Sequence, residues 1–507
     1  MHSLHFKMGE IQNSDISLWL NQSNGNVTEA VVRSMISEIN LLHEHVEGLR
    51  FVIDDYYLFS LGFLISLMQI GFGYVECGAV RSKSATNVMM KNMMDSFLCG
   101  IVYWLFGFAI AFGYGNSFIG YYPYMAGYKL GEDKLYGKWY YELSYASTAS
   151  TIVSGTVAER IHFVGYLVYS SVISGFVFPV VCHWGWNEEG WLKLMGYEDF
   201  SGSGIVHLCG GSCAIVAAII LGPRYSRFEE KKCDGDPDER WKKLSGHSTP
   251  ISALGAMILF TTFLSFNAAS VFSISTPEKV ELAAKVVIVS LLSACGCSTT
   301  GLFLSRLGAF NKEAFKGIGY WSFMHAANCG IMGLVISSCA ANKMEIWAGF
   351  ISGCLGAPIY VLLHHLTRRF KVDDVLNIIP VHFGGGFVGC VFTPILRNNA
   401  IPAGDFDQAL FNFKVNAIGA LSIMAWSMSC AFIIFYLLKV FDVLRVPIED
   451  EINGVDLAKH NEVAYQLTYR DVNLDSTQNS TLARSGNMSL RQRKPVQDES
   501  IELQSIA

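Results

Sequence analysis

The chain is poor in charge. Asp, Glu, Lys and Arg make up 16% of its 507 residues, whereas hydrophobic residues make up 51%. Soluble domains carry roughly a quarter charged residues, so this composition excludes an ordinary soluble protein. The net charge of −6 resides in loops and tails, and we expect no nucleic-acid partner. The start of the chain lacks the charged, apolar and cleavage-site regions of a removable signal peptide, so none is expected.

Motifs of metal sites and of catalysis are also missing. The 13 cysteines include no Cys-x-x-Cys pair, and most lie within apolar stretches, where a thiol acts as a small apolar group. We therefore expect neither a disulfide framework nor a zinc site, and no cofactor. There is no His-Glu-x-x-His, and the "SGSG" sequence at Ser201 has no base placed beside it. The sequence does not predict an enzyme.

Long apolar segments are abundant. A helix that spans a bilayer needs about 20 largely apolar residues. The pattern predicts an all-α polytopic membrane protein with eleven spans, of which the last is the longest. The predicted spans are 54–78, 92–114, 139–157, 162–183, 203–222, 250–273, 282–304, 319–341, 346–366, 377–396 and 412–438.

Loop charge predicts the orientation. The loops after odd-numbered spans are rich in Lys and Arg, as with Arg224 and Arg227 after the fifth, whereas the even-numbered loops are poorer. Basic loops stay cytoplasmic, so we expect the N-terminus outside and the C-terminus inside, with the plasma membrane as the expected location. The predicted organisation is then an extracellular segment (1–52), a transmembrane domain (53–440), a cytoplasmic C-terminal segment (441–465) and a disordered cytoplasmic tail (466–507).

A short internal repeat links the two halves of the chain. Asp199 precedes His207 by eight residues, and Asp374 precedes His382 by eight. Each histidine follows a valine and is followed within three residues by a glycine pair. The first lies in the fifth span and the second in the tenth, so a five-helix unit repeated once would face the membrane in opposite directions. Such inverted repeats place a substrate path between the halves, near the bilayer midplane.

Ionisable residues in or at the ends of the predicted spans are functional candidates, and four of the histidines there are considered as such. They are His183, His207, His325 and His382. For His325 we favour a packed structural role. For His207 and His382 the repeat favours function, because neutral imidazoles offer donors and acceptors to a small neutral molecule, whereas an isolated cation in the same bore would be costly. A metal site is the rival use, but no third ligand has suitable spacing.

Aromatic residues gather near the predicted outer side. Tyr141 and Tyr145 open the third span, and Trp184 and Trp186 close the fourth. Such residues are typical of the interfacial belt of any membrane protein. The alternative is a small cation cage, since the faces of Trp and Tyr attract an ammonium-type charge by about 0.5–2 kcal/mol each.

Six ordered motifs resemble the ammonium transporter (Amt/Mep/Rh) family, on its Amt side, over residues 54 to 465. The resemblance implies an eleven-helix homotrimer in the lipid bilayer, with one path per subunit for ammonium or methylammonium, and it matches His207 and His382 to the twin pore histidines. The motifs are "GFGYVECGAVRSKSATNVMMKN", "ASTIVSGTVAERIHFVGYLVYSSVISGFVFPVVCHWGW", "DFSGSGIVHLCGG", "FNAAS", "VHFGGG" and "LLRVPIEDEINGVDLAKHNEVAY", the last with Val443 in place of its first leucine.

The resemblance also implies an outer site and a gate. Trp186, Tyr145 and Ser270 match the external ammonium site, and Tyr145 with Phe266 matches the stacked aromatic gate below it. Asp199 matches an acidic residue near that site, and we interpret it as structural, capping the helix that holds His207.

The chain departs from the family pattern at several positions. Ala269 replaces a glycine near the gate, and Asn377 stands where many members carry an acidic residue. Ala458 and Asn461 alter the C-terminal segment, so regulation through that segment is not assumed. The expected function is passage of ammonium, with NH4+ deprotonated outside and NH3 conducted past the histidines. The alternative is an ammonium sensor that signals through the C-terminal tail.

Overall fold

The computed structural model describes residues 29–228, 244–311 and 317–465. The predicted disordered tail lies outside these residues. The described chain is a helical bundle with one short antiparallel ribbon, β1 (Tyr114–Gly115) and β2 (Gly120–Tyr122), between the second and third helical segments.

Eleven helical segments follow one another, and a short helix lies after them. They are α1 (Glu29–Ser66 continued by Met68–Ala79), α2 (Ser82–Phe112), α3 (Tyr136–Val157), α4 (Phe163–Met195), α5 (Ser203–Leu221), α6 (Thr249–Ala269), α7 (Pro277–Arg306), α8 (Phe323–Ser337), α9 (Ile346–Arg369), α10 (Ile379–Arg397), α11 (Phe406–Val440) and α12 (Ile448–Asn453).

Nine helices of the described residues are long and apolar enough to cross a membrane, so the chain is an integral membrane protein. The other two predicted spans coincide with α3 and α8. Helix α3 has low hydropathy because it carries many serines and threonines, but these lie inside the bundle. Helix α8 has 15 residues, shorter than the predicted span 319–341. Eleven crossings therefore remain a prediction, although all eleven segments are helical.

Helix α1 begins earlier than the predicted first span. The structure has helix from Glu29, whereas hydropathy placed the start at residue 54. The added turns contain no proline and a single glycine, Gly48, so local propensity permits the helix although its composition is too polar for a bilayer.

The repeat seen in the sequence has a local counterpart in the structure. Helices α5 and α10 each begin with a π-helical turn that contains the histidine, His207 in one and His382 in the other. Asp199 accepts hydrogen bonds from four backbone N–H groups at the start of α5, and Asp374 accepts from two at the start of α10. Each aspartate thus caps the helix that holds its histidine.

Glycines bring α5 and α10 into backbone contact. A Cβ added to Gly211 would clash with the backbone of Phe383, and one added to Gly386 would lie 2.7 Å from the backbone nitrogen of Leu208. Each glycine is four residues after its histidine and meets the residue that directly follows the other histidine. Reciprocal contacts of this kind are what a twofold axis between two related elements produces.

The C-terminal segment packs against one end of the bundle. Ile161 forms an isolated β-bridge with Arg445, and the Arg445 guanidinium donates to the carbonyl of Leu221 and to Glu451. Further along, the Asp456 carboxylate accepts from the backbone N–H groups at the start of helical residues 85–102 in α2. The segment therefore supplies a cap to a membrane helix far away in sequence.

A buried ion-pair cluster lies at the same end. Arg224 bridges Asp373 and Glu159, at 2.8 Å in each case, and Arg227 adds a second cation to Asp373. Burial alone would raise the pKa of Asp373, but Arg224 and Arg160 hold it well below its ordinary value. The cluster joins three inter-helix loops, because Glu159, Arg224 and Asp373 come from different loops and each charge has a partner of opposite sign.

Candidate functional site

A column of rings runs into the bundle between its two halves. The rings of Trp186 and Tyr145 meet edge to face with 5.6 Å between their centroids. The rings of Tyr145 and Phe266 are stacked, with 3.9 Å between their centroids and 24° between their planes. Phe266 lies 5.7 Å from His207, and His207 lies 5.3 Å from His382. Trp186 is partly exposed, whereas the other four are buried. The residues assigned by resemblance to the site, gate and pore thus form one continuous line.

A group of hydroxyls lies beside the outer end of this column. Tyr141 donates to the Tyr145 hydroxyl at 2.6 Å, and Tyr145 donates to the backbone carbonyl of Phe266 at 2.6 Å. The Ser270 hydroxyl lies 2.9 Å from both tyrosine oxygens. Because both tyrosine protons are already used, Ser270 donates its own proton, and its oxygen lone pairs remain available to accept from a ligand N–H.

Trp186 is fixed in place by its indole nitrogen, which donates to the backbone carbonyl of Asp199 at 2.6 Å. The Asp199 carboxylate is itself occupied by the N-terminal N–H groups of α5. Burial raises the pKa of the Asp199 carboxyl to about 6, although those N–H groups oppose the shift. Asp199 therefore orients Trp186 through its backbone carbonyl and the helix of His207 through its carboxylate.

The two histidines make a direct hydrogen bond, with 3.2 Å between their Nδ1 atoms. One Nδ1 must donate and the other accept, because two N–H groups or two lone pairs would repel. When both rings are neutral, one Nε2 is then an acceptor and the other a donor. Nε2 of His207 is buried and has no hydrogen-bond partner among the described residues. The pair can offer both kinds of hydrogen bond to a small molecule.

Phe263 was assigned no role from the sequence, whereas Tyr141 was considered only as part of an aromatic belt or a cation cage. Phe263 stacks on His207 at 5.1 Å with the planes 21° apart, and Tyr141 joins the hydroxyl group. The spacing Phe260, Phe263, Phe266 along α6 is the signal that could have indicated Phe263, since residues three apart share a helix face. Tyr141 lies four residues before Tyr145 on α3, so these two side chains also share a helix face.

A cavity of about 280 Å³ lies toward the end of the bundle that carries the ion-pair cluster. It is formed where α1 ends, α6 begins and the loop before α10 passes. Its walls include Arg224, Asn328 and Asn377, the last five residues before His382. A cavity with both polar and apolar residues in its walls is therefore present at the end of the bundle where α10 begins, toward His382.

A second group of buried ionisable residues lies among α1 to α4. Asp95 accepts hydrogen bonds from Ser150, Thr151 and Ser170, and Glu76 accepts from Ser154 and Asn92. Lys91 donates to a backbone carbonyl. The contacts link the four helices of the first half through the polar face of α3. No local sequence pattern indicates this group, because its hydrogen-bond partners come from different helices.

The remaining candidate histidines are packed against other groups. His325 stacks on Phe310 at 3.7 Å, and the ring nitrogens of His183 lie near two backbone carbonyls. Within the described parts of the chain, no cluster of three His, Cys, Asp or Glu side chains is placed to hold a metal.

Comparison with known proteins identifies the family. The model of the Ammonium Transporter Family matches residues 56–465. The chain belongs to this family. It is 37% identical over 461 residues to putative ammonium transporter 1 of Caenorhabditis elegans, covering 85% of this chain and 83% of that protein. It is 30% identical over 449 residues to ammonium transporter 1 member 3 of Solanum lycopersicum, covering 83% and 95%.

Solved structures of ammonium transporter family proteins share the fold. A structure described as a sensor Amt protein superposes with a TM-score of 0.73 at 24% identity, covering 82% of this chain and 100% of that one. Mep2 of Saccharomyces cerevisiae superposes with a TM-score of 0.68 at 22% identity, covering 82% and 92%. At this level of identity the likeness establishes the helical architecture.

Proposed function

We propose that this protein carries ammonium across the membrane, recruiting NH4+ at the rim and conducting NH3 past the two histidines. The observation that carries the proposal is the order of the groups along the column. A partly exposed Trp186 comes first, then the stacked rings of Tyr145 and Phe266, and then the buried, hydrogen-bonded histidine pair. The family and the names of the relatives support ammonium as the substrate.

Recruitment would use the rim residues. The faces of Trp186 and Tyr145 attract a cation, and the Ser270 oxygen accepts one of its N–H groups. These interactions also suit methylammonium, which keeps the charge and has N–H donors. The proposed site places no carboxylate against the bound cation, because the Asp199 carboxylate is occupied by backbone N–H donors.

Passage inward would require loss of the charge. Tyr145 and Phe266 are in contact in this structure, so their rings must separate to admit a molecule. Beyond them a bare cation would lose its hydration in an apolar bore, which is costly, whereas neutral NH3 can exchange hydrogen bonds with the two Nε2 atoms. The cavity lined by Arg224, Asn328 and Asn377 would hold water for re-protonation. K+ would be rejected because it has no proton to release.

The test combines ammonium-dependent current with methylammonium uptake in cells that lack their own ammonium uptake. We expect saturable uptake that K+ does not replace, and its loss in His382→Ala at an equal surface level. Retention of K+-excluding transport in His382→Ala would contradict the histidine path. Current with uptake would indicate net charge movement, and uptake without current would indicate net NH3 passage.

A sensor is the second candidate, because the C-terminal segment is tied to the ends of α2 and α5 and could report their position. If surface-localised protein gave neither current nor uptake, the sensor would replace the transporter as the proposal. The homotrimer, the plasma membrane and the outside N-terminus belong to the proposal as well. Surface labelling at each terminus and the mass of the purified protein would test them.

A further inference from the structure

Helix α1 projects beyond the bundle at its N-terminal end. Asp54 fixes the point of departure, since its carboxylate accepts from the backbone N–H groups of Ile274 and Ser275, in the loop between α6 and α7. The helix begins at Glu29, so about 25 residues precede this anchor. At 1.5 Å per residue they extend for about 38 Å.

This projecting helix carries an apolar stripe with a strict alternating spacing of four and three residues. All six side chains of the stripe are exposed, and Leu42 and Leu49 are 63% exposed. The stripe consists of Met35, Ile39, Leu42, Val46, Leu49 and Ile53. Its period is 3.5 residues, which is the a and d pattern of a coiled coil.

We propose that this stripe is the seam of a parallel coiled coil formed with the same helix of another copy of this chain. The a positions are Ile39, Val46 and Ile53, and the d positions are filled by Met and Leu. In parallel coiled coils, β-branched residues at a with Leu at d favour two strands. Copies inserted in one membrane with one orientation project this helix on the same side and in the same direction, which places equal heptads side by side.

A bilayer surface fits the same stripe less well. A straight helix drifts by about 20° per heptad relative to a 3.5-residue repeat, so a flat surface does not require this spacing, whereas a supercoiled partner does. Helices that lie on membranes also carry polar faces rich in Lys and Arg. Here the polar face is acidic, with Glu38, Glu44 and Glu47 against Arg33 and Arg50.

The first test places a cysteine on or off the seam in the full-length protein in cell membranes. Leu42→Cys occupies a d position, and the control Glu44→Cys lies on the opposite face. Under mild oxidation we expect disulfide-linked dimers from Leu42→Cys at least about tenfold above the control, because the seam positions of two helices approach within disulfide reach and positions on the opposite face do not. Equal cross-linking of the two variants, at equal surface level and equal ammonium uptake, would overturn the proposal.

A second pair of variants distinguishes specific packing of the two helices from random collision between them. Adding Val46→Asp to Leu42→Cys places a charge at an a position and should lower the cross-linked fraction several-fold. Adding Glu47→Asp, one residue further and off the seam, should leave it unchanged. Cross-linking that resists Val46→Asp would overturn the coiled coil. So would a Leu42→Cys thiol that forms no dimer and is shielded by lipid from a water-soluble maleimide, since the helix would then lie on the bilayer.

Discussion

The Ser270 hydroxyl is the group of the proposed outer site whose hydrogen bond can be removed by a single small substitution. Its oxygen lies 2.9 Å from the hydroxyl oxygens of Tyr141 and Tyr145 and retains lone pairs that can accept a hydrogen bond. We expect Ser270→Ala to weaken the apparent affinity for ammonium by about five- to tenfold, the loss of one hydrogen bond, and to leave the maximal current nearly unchanged. Concentration dependence of the current measures this.

Two variants serve as controls for that prediction. Ser270→Thr keeps the hydroxyl and should preserve the affinity. Ser273→Ala alters a serine on the same turn that bonds Asp54, away from the ring column. An unchanged half-saturating concentration in Ser270→Ala would remove Ser270 from the outer site.

The sequence indicated some of these residues and not others for a physical reason. Repeat position selected His207 and His382, and motif resemblance selected the rim residues. The stacking of Phe263 on His207 depends on side-chain rotamers and on the crossing of α5 and α6, which no local pattern encodes. Buried Asp95 was missed because its hydroxyl partners come from other helices.

At the scale of elements, the distance between α5 and α10 sets the distance between the histidines. We expect Gly211→Ala to force these helices apart, since its Cβ would meet the backbone of Phe383. Overpacking of this kind costs about 1–3 kcal/mol, and separation would break the Nδ1 contact. Uptake should fall sharply while surface expression persists.

The matched control for Gly211→Ala is Gly100→Ala in α2, where an added Cβ meets nothing within 4 Å. That variant should transport normally, and alanine should slightly favour the helix. Normal uptake by Gly211→Ala would show that the two helices tolerate a wider gap.

The ion-pair cluster yields a prediction for stability. Asp373→Asn leaves Arg224 buried with Glu159 as its remaining anion, and we expect a loss of about 3 kcal/mol, seen as a lower apparent unfolding temperature. The folded pKa of Asp373 is lowered, so its stabilisation is present above the unfolded value near 4 and is lost as pH falls below it. The difference between wild type and variant should be constant from about pH 5 to 8 and shrink in stronger acid. A difference that grew in acid would contradict the assignment.

Hydropathy located the helices but not all of their ends. It succeeded where a helix faces lipid, and it misplaced the start of α1, because helix propensity continues there after the apolar run ends. Helix α8 is shorter than predicted because apolar residues at both of its ends belong to loops. The buried hydroxyls of α3 lower its hydropathy although it lies inside the bundle.

At the scale of the whole molecule, the C-terminal segment stabilises the end of the bundle against which it packs. We expect Asp456→Ala to lower stability by about 1 kcal/mol, because Asp456 caps the helical residues 85–102 of α2. Asp450→Ala is the control, since its pair with Lys459 is partly exposed and such pairs contribute little. Thermal unfolding of the two purified variants compares them. Equal effects would show that the segment is held by other contacts.

The stacked pair of Tyr145 and Phe266 has a consequence for the energy stored across the membrane. Protons move through proteins and water by hopping along hydrogen-bonded chains, and the faces of aromatic rings contain no hydroxyl or amide to relay them. While these two ring faces are stacked at 3.9 Å, no hydrogen-bonding group fits between the faces to relay a proton. On the path proposed above, a closed ring pair would let a cell keep many copies of this protein in an energised membrane without short-circuiting its voltage or its proton gradient.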